Sequence, residues 1–246
     1  MILRHLREEV LEANLDLERY GLVTLTWGNV SGISRDEGLV VIKPSGVDYK
    51  KLRANALIVV NLAGTIVEGK GRPSSDTPTH IELYKAFPAI GGVAHTHSEY
   101  ATSFAQACRE IPCYGTTHAD AFSGAIPVTR FLTKEEVEDQ YELNTGRVII
   151  ERFRELDPVS RPAVLVAGHA PFTWGKSAHD AVKNSLILER VASMAFRSLA
   201  LHENLPALPE YILNKHHLRK HGPQAYYGQP DHAQPRTPNG LRRKRK

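Results

Sequence analysis

His95-Thr96-His97 can grip one metal ion without help from a flexible loop. The pair closes a short apolar run, Gly91-Gly92-Val93-Ala94, that reads as a buried strand. On a strand, residues two apart point to the same face, so both imidazoles face one way. A third, His169, follows another apolar run, Ala163-Val164-Leu165-Val166-Ala167. Between the first turns of the chain and His95 lies Ser74-Ser75-Asp76-Thr77-Pro78-Thr79-His80, a polar cluster opening a helix. Two histidines at one strand end, a third at another and an available carboxylate suit a divalent transition metal, zinc foremost. The chain holds 12 histidines, so H-x-H alone arises easily by chance. The strand context and the third histidine are what favour a ligand role. A binuclear centre of the H-x-H-x-D-H type is excluded, because Ser98-Glu99-Tyr100 follows.

Three polar turns can hold an anion. Gly28-Asn29 offers a permissive backbone and an amide, and Lys43-Pro44-Ser45-Gly46 offers a cation, a hydroxyl and a close-approaching backbone. Ser74-Ser75 precedes a helix N-terminus, where free N–H groups and the macrodipole favour phosphate. Each turn alone is weak, since Ser, Asn and Gly favour turns anyway. Together they suggest a phosphate monoester on a small substrate. No Walker pattern and no G-x-G-x-x-G supports nucleotide use. Thr116-Thr117-His118-Ala119-Asp120 is a further polar cluster, readable also as a helix cap. Lys215-His216-His217-Leu218-Arg219-Lys220-His221 with Tyr226-Tyr227 is dense in titratable groups, readable also as a solvated basic helix. A Tyr beside a cation can serve as a general acid.

The surrounding pattern supplies the frame. Leu3, Leu6, Val10, Leu11, Leu15 and Leu17 predict a helix over 3–19 that Gly21 stops. Strands are predicted at 22–26 and 39–42, with a hairpin over 56–68 turning at Ala63-Gly64. Further helices are predicted at 78–87, 100–109, 134–156 (with a break at Asn144-Thr145-Gly146) and 178–201. The expected fold is a single α/β domain, a mixed central sheet sandwiched between helices, over residues 1–229. The net charge of +4 comes from the end of the chain. Residues 230–246 carry six cations against the single acid Asp231, which leaves 1–229 close to neutral. That tail is expected to be disordered, and the body has no basic excess for nucleic acid. No apolar run reaches a membrane span, and no signal peptide is read at the N-terminus. Cys108 and Cys113 read as ordinary thiols of a reducing cytosol, so a cytoplasmic location is expected.

Taken together, Leu22 to Ser31, Val41 to Tyr49, Pro73 to His80 and His95-Thr96-His97 resemble the class II aldolase/epimerase family. Gly115 to Asp120 and Lys215-His216 to Tyr226-Tyr227-Gly228-Gln229 are similar to its pentulose-phosphate 4-epimerases. The resemblance spans residues 5–229. It implies that Asp76, His95, His97 and His169 surround one Zn2+ per subunit, or another divalent metal. It implies that Gly28, Asn29, Lys43, Ser45, Gly46, Ser74 and Ser75 hold the substrate, chiefly its phosphate. Asp120 and Tyr227 are implied as the proton-transfer pair, with Thr116, Glu142, His216 and Arg219 assisting. The implied assembly is a homotetramer whose sites lie at subunit interfaces, Asp120 and Tyr227 reaching in from a neighbour. The implied reaction converts L-ribulose 5-phosphate to D-xylulose 5-phosphate by cleaving and rejoining the C3–C4 bond. A class II aldolase that releases its fragments is the alternative. Two residues depart from the family pattern, Ala170 after the third histidine and His217 where an aromatic is usual.

Overall fold

The structure is a computed structural model describing residues 1–227. The expected domain end at Gln229 and the basic tail 230–246 lie outside the described residues. In chain order the elements are helix α1 (Arg4–Arg19), strands β1 (Asn29–Ser34), β2 (Leu39–Ile42), β3 (Ile58–Asn61) and β4 (Ile66–Glu68), helix α2 (Thr77–Ala86), strand β5 (Gly92–His95), helices α3 (Glu99–Gln106), α4 (Thr116–Ala119) and α5 (Lys134–Arg152), strands β6 (Ala163–Leu165) and β7 (Pro171–Gly175), and helices α6 (Ala178–Leu201) and α7 (Glu210–His221).

The strands form one sheet in the order β4-β3-β2-β1-β5-β7-β6. Every pairing within it is antiparallel; an isolated bridge, Val128 to Leu165, is parallel. Alternation assigns the side chains to two faces. Val40, Ile42, Ile58, Val60, Val93 and Trp174 pack with Ile81 and Tyr84 of α2, with Phe87 just after it and with Ile149 of α5. Val30, Val41, Val59 and Ala94 pack on the other face with Val10, Ala13 and Leu17 of α1 and with Ala178, Ala181 and Val182 of α6. The helices therefore sandwich the sheet as expected. The i, i+3, i+7 spacing of Val10, Ala13 and Leu17 makes the buried stripe of α1. Helices α6 and α5 are capped by hydroxyls: Ser177 accepts from the Asp180 N–H, and Thr133 forms a capping box with Glu136.

Three elements differ from the sequence expectation. Residues 22–26 are not a strand; the chain turns there, with Leu25 at φ 55° and largely exposed. The strand is the next segment, β1, whose Asn29, Ser31 and Gly32 disguise it as a turn. Its polar groups are held by partners inside the protein. Ser31 Oγ lies 2.7 Å from both His80 Nδ1 and Tyr84 Oη, and Asn14 bonds both the N–H and the C=O of Val30. A Cβ on Gly32 would sit 2.8 Å from Leu6 Cδ1, so glycine there lets α1 approach the sheet. The break in α5 falls at Gln140 (φ −139°, ψ 77°) rather than at Asn144-Thr145-Gly146. Gly146 stays helical because it lies against α2, where a Cβ would meet Glu82 Cβ at 2.9 Å. Strand β7 has no counterpart in the sequence expectation; its Pro171 takes the first position, where no ladder N–H is required.

Candidate functional site

Register places the histidines. β5 ends at His95, which sits opposite Asn29 of β1 on one side and Phe172 of β7 on the other. The Phe172 ring stacks on His95 at 4.2 Å and 17°. His95 Nδ1 donates to the carbonyl of Pro171 at 3.0 Å, which leaves the Nε2 lone pair free. His97 comes from the residues just past the strand, and His169 from the turn after β6. Their ligand atoms and that of His95 lie within 4.8 Å of one another.

The chemistry of this donor set fits a divalent metal. His95 Nε2 and His97 Nε2 stand 3.1 Å apart. Two facing lone pairs repel unless a cation or a proton lies between them. Burial pushes the pKa of all three histidines down, that of His169 to about 4, with the neighbouring imidazoles adding to the effect. Protons are therefore disfavoured at neutral pH and metal ions are not. Asp76 adjoins them. Burial opposes its ionisation, yet His95, His80 and the Asn29 amide hold its carboxyl below the usual range. Asn29 Nδ2 donates to Asp76 Oδ2 at 2.6 Å. Asp76 shares the cavity with the three histidines but is not part of their close group.

That cavity, about 480 Å³, has a cationic end. Lys43 is almost fully buried, and burial lowers its pKa to about 8. Its Nζ lies 3.4 Å from the Thr26 carbonyl and 4.9 Å from the centre of the Tyr49 ring. No salt bridge to Lys43 occurs among the described residues. Ser45 and Gly46 flank it, and Ser74 and Ser75 face it from the start of α2. The two turns are tied together, since the Ser74 N–H donates to the Lys43 carbonyl at 3.0 Å and that of Ser45 to Arg72 at 2.9 Å. Gly28 completes the wall with φ 74°; a Cβ there would meet the His95 carbonyl at 2.8 Å. A buried cation without a carboxylate partner, beside hydroxyls and a helix N-terminus, suits a phosphate.

Glu142 lines the same cavity. Thr26, Trp27, Pro44 and Tyr141 also line it and were not among the expected site residues. Tyr141 Oη lies 3.4 Å from His169 Nδ1, and the half-exposed ring of Trp27 lies 5.9 Å from His97. Trp27 had one usable signal, an aromatic directly before the Gly-Asn turn that was itself expected to hold substrate. Tyr141 had none, because its orientation depends on the kink at Gln140.

The remaining expected residues form a second cluster, away from this cavity in the described chain. Asp120 follows α4. Its carboxylate accepts from Arg219 Nε at 3.1 Å, Arg219 Nη2 at 2.8 Å and His216 Nδ1 at 3.1 Å. Burial opposes its ionisation, but these donors and Lys220 hold its pKa down. The Arg219 guanidinium lies over the Tyr227 ring at 4.3 Å. Thr116 begins α4 and accepts the Asp120 N–H through its carbonyl at 2.9 Å. The departures from the family pattern are structural here. His217 is buried and stacks on His221 at 4.7 Å, and Ala170 is fully buried, its carbonyl accepting from the Val166 N–H.

Two buried histidines outside the ligand set make stability sensitive to acid. Burial lowers His80 to about 3 and His118 to about 4. The unfolded chain takes up these protons near pH 6.5, whereas the folded chain resists them. Below pH 6.5 the unfolded state therefore binds more protons, and stability falls with pH until the folded pKa is reached. Each group contributes a slope of up to about 1.4 kcal/mol per pH unit. Urea midpoints are expected to drop from pH 6.5 to 4, and less steeply in His118→Gln. Equal slopes in the two proteins would contradict the assignment.

The chain matches the family described as Class II Aldolase and Adducin N-terminal domain over residues 8–196. Among solved structures it is similar to YgbL, a putative aldolase/epimerase/decarboxylase from Klebsiella pneumoniae, at 26% identity and TM-score 0.70, covering 87% of this chain and 99% of that one. It shares its fold with an L-fuculose 1-phosphate aldolase at 24% identity and TM-score 0.74, covering 88% and 96%. The same fold recurs in an L-fuculose-1-phosphate aldolase from Thermus thermophilus, at 23% identity and TM-score 0.64, covering 82% and 98%.

Proposed function

Because this chain belongs to the Class II Aldolase and Adducin N-terminal domain family, we propose that it is a metal-dependent epimerase converting L-ribulose 5-phosphate to D-xylulose 5-phosphate. The observation that carries the reading is the division of one cavity between a three-histidine group and a buried lysine with no carboxylate partner among the described residues. A ketose phosphate has the matching pair of ends, a chelating carbonyl with its neighbouring hydroxyl and a phosphate.

His95, His97 and His169, with Asp76, would hold the metal, zinc foremost. When bound, that ion supplies Lewis-acid stabilisation of negative charge on the ketose oxygens. Lys43, Ser45, Ser74 and Ser75 hold the phosphate, with the Gly28, Asn29 and Gly46 backbone closing around the sugar. One proton-transfer residue takes the proton of the C4 hydroxyl, and the C3–C4 bond breaks. The phosphorylated two-carbon aldehyde stays anchored, turns its carbonyl over, and the bond reforms on the other face. The second residue then protonates the new C4 alkoxide. Retaining both fragments keeps recombination unimolecular. Asp120 and Tyr227 fill these two roles in the reading, with His216 and Arg219 orienting Asp120. Neither lines the cavity of its own chain, so each acts from a second copy in a homotetramer. The alternative, an aldolase that releases its fragments, shares the metal and the phosphate subsite but has no use for a pair.

The deciding experiment incubates the metal-loaded protein with L-ribulose 5-phosphate and follows both D-xylulose 5-phosphate and free dihydroxyacetone. Xylulose phosphate without free fragments is the expected outcome; accumulated fragments would give the aldolase. Lys43→Met is expected to raise the Michaelis constant about 10- to 100-fold, the loss of one charge-assisted hydrogen bond. An unchanged constant, with unphosphorylated L-ribulose used equally well, would remove the phosphate assignment.

A further inference from the structure

We infer that Tyr141 is a working part of this site: its Oη accepts the Nδ1–H of His169 and turns its own hydroxyl proton into the cavity as a donor to a ketose oxygen. The inference rests on the proposed metal and sugar-phosphate reading and adds a residue to it. His169 has two ring nitrogens, and only one can face the other two histidines. Tyr141 Oη stands 3.4 Å from Nδ1, which leaves Nε2 as the ligand atom. His95 is organised the same way, its Nδ1 donating to the Pro171 carbonyl. A metal-binding imidazole whose second nitrogen has a partner is fixed in tautomer and in ring angle.

A tyrosine is not equivalent to a carbonyl in this position. When its oxygen accepts from His169, its own proton must go elsewhere. Tyr141 lines the cavity beside Asp76 and Glu142, and its proton is assigned to the space the sugar would occupy. Backbone geometry holds Tyr141 in place. The helix is broken at Gln140, and Thr145 Oγ1 donates to the Tyr141 carbonyl at 2.8 Å. The Arg130 guanidinium bonds both Glu136, before the break, and Glu151, after it. The kink is therefore clamped from both sides.

The test is Tyr141→Phe in the full chain, which keeps the ring and removes only the hydroxyl. Metal affinity is measured first, without substrate, by competition with a chromophoric zinc chelator. It is expected to weaken about 10- to 100-fold, the usual loss for an outer-shell partner of a ligand. Turnover of L-ribulose 5-phosphate is then measured at saturating zinc, where kcat/KM is expected to fall about tenfold or more. Thermal unfolding of the metal-free protein should match the parent, which separates this role from a packing defect. Zinc affinity within twofold of the parent, or an unchanged rate at saturating zinc, overturns the inference. If the parent binds zinc but does not interconvert the two pentulose phosphates, the proposed function fails, and the zinc titration still decides whether Tyr141 holds His169.

Discussion

A His97→Ala chain is expected to purify without stoichiometric metal and to turn over no L-ribulose 5-phosphate, whereas the parent carries about one divalent ion per chain. The three histidines are the close donor group, with ligand atoms within 4.8 Å. Their lowered pKa values keep them neutral at pH 7, so lone pairs are available to a metal where His95 Nε2 and His97 Nε2 approach to 3.1 Å. Removing His97 breaks the three-imidazole group and leaves two imidazoles with Asp76, which lies outside that close group, a weaker hold on a divalent ion. The loss falls on catalysis as well, because the ion supplies charge stabilisation at the ketose oxygens, whereas Lys43 is assigned to the phosphate. Elemental analysis and the product assay check both halves. Full activity in a rigorously metal-free parent would end the metal reading. The fold should survive, because His97 is partly exposed and its ring contacts are to Trp27 and the other two histidines.

Tyr227→Phe is expected to lose about 10²–10⁴-fold in epimerisation, the usual cost of removing a general acid or base. Inverting C4 needs proton transfer on both faces of the aldehyde fragment; cleavage needs it on one. The substitution keeps the ring under the Arg219 guanidinium, so the cluster around Asp120 should stay assembled. The metal cavity does not include Tyr227, so zinc content should match the parent. Slow condensation of dihydroxyacetone with glycolaldehyde phosphate should persist, biased toward one C4 configuration. Unchanged epimerisation with an equal product ratio would remove Tyr227 from the reaction and turn the reading to an aldolase.

Much of the frame was legible from local pattern. The α1 stripe, the hairpin turning at Ala63-Gly64 and the span Ala178–Leu201 of α6 all appear where apolar spacing put them. Periodicity works there because α1 and α6 each turn a continuous apolar stripe toward the core. It failed at β1, a central strand carrying Asn29, Ser31 and Gly32. The partners that satisfy Ser31 and the Val30 backbone, His80, Tyr84 and Asn14, lie on two helices distant in sequence. It failed again at the kink, because nothing in residues 134–152 favours Gln140 over Gly146 until α2 packs against the glycine.

The same division runs through the site. Local chemistry by itself named the candidate donor types and their first pairing: His-x-His at a strand end suggests a shared face, and Lys43, Ser45 and Ser74-Ser75 sit in turns that any fold would leave polar. Only the tertiary structure decided that His169 meets that pair, that Lys43 is buried without a counter-ion among the described residues, and that Tyr141 stands beside His169. Each depends on antiparallel register and on the clamped kink, which set distances between residues tens of positions apart. It also decided that Asp120 and Tyr227 gather around Arg219 rather than in the metal cavity of their own chain, because α4 and α7 pack together apart from that cavity. A linear pattern states which groups exist; burial and register decide which of them meet, because both arise from packing between segments that the pattern keeps apart.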